Sequence, residues 1–197
     1  FSQLVDMGGV LSIVAEILAY RDEKGKPIPY CKMNPTVFLT IGEEGGVELG
    51  TLTIKLSKKT HPALTENFVK LCTGEELDGT SGERLILSGS SLWSDGTVVG
   101  GGELMDSMGR ATTPSGFVTQ NAPSLPVSKD RCGLAMLPLA LHKFTFTSLF
   151  FFVKSASDRV CDGIIFGDII DGGDVLDAIN LSIESKKRVG ITKSGIM

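Results

Sequence analysis

The sequence predicts a mainly β protein, a mostly antiparallel barrel with two helices. Three observations lead there. Leu49–Leu56 alternates apolar Leu52, Ile54 and Leu56 with Thr51, Thr53 and Lys55, the period of a half-buried strand. Several further apolar runs have strand length and are bounded by turn residues. The elements follow the order strands, helix, many strands, short helix, strand, which suits a closed antiparallel sheet with helices laid against it.

Residues 2–20 read as a helix, because Leu4, Met7, Leu11, Val14 and Leu18 recur at spacings of three and four. Val10, Ile13 and Ile17 widen that stripe, Ser2 can cap it, and Gly8-Gly9 weakens its middle by about 1 kcal/mol per glycine. The stripe must be buried, either on its own barrel or on another protein. Residues 21–33, charged and broken by Gly25, Pro27 and Pro29, read as a linker. The expected division is therefore 1–33, an amphipathic helix and linker, and 34–197, a barrel domain.

Within the second part, Thr36–Ile41 and Leu49–Leu56 read as strands joined by a hairpin turn at Gly42–Gly46. Pro62–Cys72 reads as a helix, with Pro62 in the first turn, Leu64, Phe68 and Leu71 on one face and Gly74 as its stop. Residues 74–116, rich in Gly, Ser and Thr, read as loops around short strands. Gly133–Leu141, Ser148–Val153 and Ile164–Ile170 suit buried strands. Asp174–Leu181 reads as a short helix with Val175, Leu176 and Ile179 inward, and Arg188–Lys193 as a last strand.

Composition narrows the function. The 197 residues are 42% hydrophobic and 21% charged, ordinary for a soluble globular chain. A net charge of −4 gives no electrostatic support for nucleic-acid binding, and the longest basic run is only Lys186-Lys187-Arg188. No stretch reaches the ~18–20 apolar residues of a membrane-spanning helix. Cys31, Cys72, Cys132 and Cys161 are widely spaced, with neither a C-x-x-C pair nor His61 or His142 at zinc-site spacing, so free thiols in a reducing compartment and no metal are expected. The first residue is Phe1, which fits a removed organelle-targeting leader and favours a mitochondrial or other organellar location. Gly100–Gly102 lacks the G-K-[ST] continuation of a phosphate loop. Ser148 with His142 lacks the G-x-S-x-G setting of a hydrolase nucleophile, and no cofactor motif stands out.

A family resemblance rests on several motifs in order. Asn34–Ile41 resembles the opening strand of cyclophilins, and Leu49-Gly50 with the strand after it their second. Pro62-Ala-Leu-Thr-Glu-Asn-Phe-Val-Lys-Leu-Cys-Thr-Gly-Glu75 is similar to their first helix. Gly101–Leu104 falls at their G-G-D-F, Gly133–Met136 at G-x-L-S-M-A, Ser148–Val153 at S-Q-F-F-I and Asp162–Gly167 at D-G-x-x-x-V-F-G. The resemblance covers 34 to about 197. It implies a closed antiparallel eight-stranded β-barrel with two capping helices, to which residues 1–33 add an N-terminal helical extension.

The resemblance also implies a proline-isomerase pocket, and there the sequence departs. In cyclophilins an arginine donates hydrogen bonds near the proline amide, weakening the double-bond character behind the ~18–20 kcal/mol rotation barrier. Aligned back from Gly101-Gly102, Leu92 takes the arginine's place, Thr97 replaces a pocket phenylalanine and Gly100 a glutamine. Leu149 replaces a second glutamine, Leu137-Pro138 an Ala-Asn pair, and Val160 the tryptophan. Two residues are missing after Gly163, and the pocket histidine goes with them. Val98 and Met136 fall at further pocket positions, and Phe151 alone keeps a pocket-floor residue. Losing one such donor commonly costs about 10²–10³ in rate. The expectation is a non-catalytic cyclophilin-like subunit of a larger, organellar assembly. It would meet other protein subunits through its barrel surface and the helix carrying Leu4, Met7, Leu11, Val14 and Leu18, without cofactor. The alternatives are a divergent active isomerase or a binder of proline segments.

Overall fold

A computed structural model describes residues 34–73, 91–96, 98–102, 118–126, 132–139, 142–154 and 163–197. The helix expected over 2–20, the linker, Thr97 and Val160 lie outside the described residues. The barrel belongs to the unit Pro35–Met197.

Its strands are β1 (Thr36–Glu43), β2 (Glu48–Leu56), β3 (Trp93–Ser94), β4 (Val98–Gly101), β5 (Val118–Thr119), β6 (Gly133–Leu139), β7 (His142–Val153), β8 (Ile164–Asp171) and β9 (Val189–Ile196). The helices are α1 (Pro62–Thr73) and α2 (Val175–Glu184). Eight strands run in the order β3-β4-β7-β6-β8-β2-β1-β9, every neighbour antiparallel, while β5 attaches to β7. The two ends of that path meet at one backbone bond, from the Leu92 N–H to the Val189 carbonyl at 2.7 Å, so the barrel is nearly closed. This is the mainly β, eight-stranded barrel with two helices that the sequence predicts.

β1 and β9 run a few residues past their expected ends, and β7 and β6 differ for a visible reason. β7 begins at His142, six residues before Ser148, because Leu139 and His142 already pair across the hairpin. β6 ends at Leu139 and shifts register on either side of Pro138. Proline has no N–H for the ladder, so it is confined to such an irregularity.

The interior is filled by residues of β1, β2, β4, β6, β7, β8 and β9 and by one face of each helix. Phe68 of α1 meets Phe150 and Phe166 edge-on at centroid distances of 5.5 and 5.8 Å, and Phe150 meets Phe152 at 5.4 Å. Such edge-to-face pairs add about 0.5–1.5 kcal/mol each to the burial of their rings. Beside Phe68, the buried Asn67 donates from Nδ2 to the Thr147 carbonyl at 3.3 Å, fixing α1 to β7. From α2, Val175, Leu176 and Ile179 are buried as their spacing predicts.

Candidate functional site

Alternation along the strands puts a second apolar layer on the outside of the barrel. On β7, Phe146, Phe150 and Phe152 join the interior, while Phe151 and Val153 belong to a separate outer cluster with Ala135 of β6 and Ile165 of β8. Val98, Leu125 and Leu137 pack against that cluster. Pairing aligns these strands into one outward row: Trp93 opposite Gly100, Gly100 opposite Phe151, Phe151 opposite Ala135, Ala135 opposite Ile165.

The end of the row is filled by Trp93. A Cβ added to Gly100 would stand 2.2 Å from Trp93 Cζ2 and 2.4 Å from Cε2, so the indole lies directly on the Gly100 backbone. Any side chain at position 100, a glutamine included, would collide with that ring. Phe151 lies beside Gly100 and is only 3% exposed, so the floor of this face is covered.

A polar strap crosses at the other end. His61 is fully buried; its Nε2–H donates to the Pro123 carbonyl at 2.8 Å and its Nδ1 accepts the Thr60 hydroxyl at 2.8 Å. Burial holds the His61 imidazole below its usual pKa, against a smaller opposite pull from the Pro123 carbonyl. Gln120 Oε1 accepts the Ala63 N–H at the start of α1, Ser124 Oγ accepts the Ile165 N–H, and the Leu125 N–H donates to the Ile165 carbonyl.

A profile of the family described as "Cyclophilin type peptidyl-prolyl cis-trans isomerase/CLD" matches residues 38–196. The chain belongs to that cyclophilin family. A curated relative, the peptidyl-prolyl cis-trans isomerase CYP21-1 of Arabidopsis thaliana, is 25% identical over 182 residues, covering 89% of this chain and 81% of the relative. The crystal structure of the mimivirus cyclophilin superposes with a TM-score of 0.63 at 23% identity, over 90% of this chain and 95% of that one. Cyclophilin membership and the barrel are thus established together.

Against the cyclophilin pocket positions read from sequence, the structure divides the residues. Val98, Gly100, Leu137 and Phe151 come together on the outer face, and half-buried Leu149 shares the strand face of Phe151. Leu92 and Met136 do not join them: both point into the barrel, 4% and 0% exposed, and Met136 Sδ lies 3.8 Å from Asn67 Nδ2. The reason is strand parity. Neighbours on a strand face opposite ways, so where Leu92 faces inward the outward place goes to Trp93, and beside Met136 it goes to Ala135 and Leu137. Pro138 is half-buried at the β6 irregularity and outside the outer cluster.

Trp93, Leu125, Ala135, Val153 and Ile165 also belong to this face, although none stands at a pocket position that the motifs give. The signal available was the unbroken run Leu149–Val153, which marks a strand covered on both faces. Among the described residues no group of His, Cys, Asp and Glu could hold a metal ion, and no helix is long and apolar enough to cross a membrane.

Proposed function

We propose that this cyclophilin is a non-catalytic, protein-binding subunit of a larger assembly. The observation that carries the reading is the outer row itself: Trp93, Gly100, Phe151, Ala135 and Ile165 offer no side-chain hydrogen-bond donor beyond the indole N–H, and the floor residue Phe151 is covered. Isomerisation in this family needs a donor aimed at the proline amide. An apolar, filled face cannot stabilise the twisted amide electrostatically, the effect that usually contributes most to rate.

Stability does not depend on that chemistry. The core around Phe68, Phe150 and Phe166 is intact, so the barrel persists as a scaffold and function passes to its surfaces. The stripe Leu4, Met7, Leu11, Val14 and Leu18 supports docking on other subunits, because a helix with such a stripe must bury it.

Purification of the tagged protein from its source tests the assembly half. The expected result is co-migration with other chains in a particle far larger than 20.9 kDa. A solitary monomer would contradict it. Exchange spectroscopy on a proline peptide tests the non-catalytic half, with no acceleration expected.

A further inference from the structure

We infer that the segment Pro123–Pro126 occupies the outer face of its own barrel, so that a peptide can reach this face only by displacing it. The inference rests on the non-catalytic reading and adds a reason why the face is shut. Among the described residues, Leu125 is the one hydrophobic residue from outside the sheet packed on the cluster of Ala135, Phe151, Val153 and Ile165. It is tied to β8 at one residue: the Leu125 N–H donates to the Ile165 carbonyl at 2.9 Å, and the Ile165 N–H donates back to Ser124 Oγ at 3.0 Å. Together these seat the apolar Leu125, which Pro126 follows in sequence, on an apolar sheet face.

The seating is asymmetric. Leu125 is half-buried, whereas Pro123, Ser124 and Pro126 are exposed. Prolines at both ends remove two backbone donors, so the segment is held by a few tethers, namely the Ile165 pair and His61 on the Pro123 carbonyl. A segment fixed by one half-buried apolar anchor and a few part-buried hydrogen bonds opens at lower cost than the barrel unfolds. The chemistry that recognises the vacated face is that of the segment itself: an extended peptide with a branched apolar residue followed by proline.

The test is titration of a blocked Ala-Leu-Pro-Ala peptide into the full chain, followed by calorimetry and by the emission of Trp93. Occupation by a resident segment lowers apparent affinity by the fraction of chains that are open. Leu125→Ala, which removes the anchor, should bind at least roughly tenfold more tightly than the wild type. Should Leu125→Ala not fold, Ser124→Ala serves instead: the position is exposed, and losing the Ile165 tether should raise affinity by roughly fivefold. A folded variant with no gain, or a wild type that binds as tightly as the variants, overturns the inference. An inert wild type with no gain in either variant leaves the non-catalytic reading standing. A wild type that accelerates isomerisation of the peptide removes both.

Discussion

Replacing Gly100 by alanine adds a single methyl group beneath Trp93 in the outer row, and its consequence follows from two distances. The new Cβ would lie 2.2 and 2.4 Å from atoms of the Trp93 ring, where ordinary contact begins near 3.4 Å, so the indole must retreat by about 1 Å or swing away. Trp93 is 38% exposed and sits on a two-residue strand, so swinging outward is open to it. A tryptophan buries at most about 250 Å². Exposing the covered three-fifths of that area, at about 25 cal/mol per Å², sets an upper bound of roughly 4 kcal/mol. A partial swing should cost about 1–2 kcal/mol. Trp93 is the only tryptophan, so its emission reports on the ring directly. Gly100→Ala should shift the emission to longer wavelength and lower the urea midpoint with an unchanged slope. Unchanged emission with an unchanged midpoint would refute the placement of the ring on Gly100. Leu92→Ala is the matching control: an inward core residue should cost about 2–5 kcal/mol and leave the emission nearly unmoved.

Three further outcomes are expected. Burial lowers the His61 pKa below its ordinary 6.5, so the unfolded chain takes up this proton first. The stability that His61 contributes is therefore complete above about pH 6.5 and is lost as pH falls through the folded value; urea melts across that range should show the loss, and His61→Phe should flatten it. Cys72 is fully buried and burial raises its thiol pKa, so peptide mapping after iodoacetamide treatment at pH 8 should find Cys72 unmodified in the native protein and alkylated only in denaturant. Phe68→Ala removes the ring that meets both Phe150 and Phe166 and should cost about 3–5 kcal/mol by equilibrium denaturation, far more than Gly100→Ala.

The barrel was legible because its determinants are local and periodic. Alternation in Leu49–Leu56 and the face shared by Leu64, Phe68 and Leu71 follow from geometry that any strand or helix obeys, and both reappear as buried sides. The site was legible in composition but not in direction. A gapped alignment gives Leu92 as the residue in the arginine's place, yet a strand of period two turns a one-residue difference into the opposite face. Only the pairing of Trp93 with Gly100 fixes which neighbour points outward. The strap was beyond reach for another reason. Nothing local in Gln120–Leu125 says that its partners are Ala63, His61 and Ile165, which are remote in sequence. The apolar character of the outer face needs no such long-range knowledge, since it follows from residue identities on either parity.

The central claim, a cyclophilin barrel without isomerase chemistry, is tested most directly by cis–trans exchange in a proline peptide with and without the protein. Uncatalysed exchange takes tens to hundreds of seconds at 25 °C. With micromolar protein, the rate should stay at the uncatalysed value, and Phe151→Ala should change nothing. Acceleration that rises in proportion to protein concentration and falls on substitution of Phe151 or Trp93 would contradict the account.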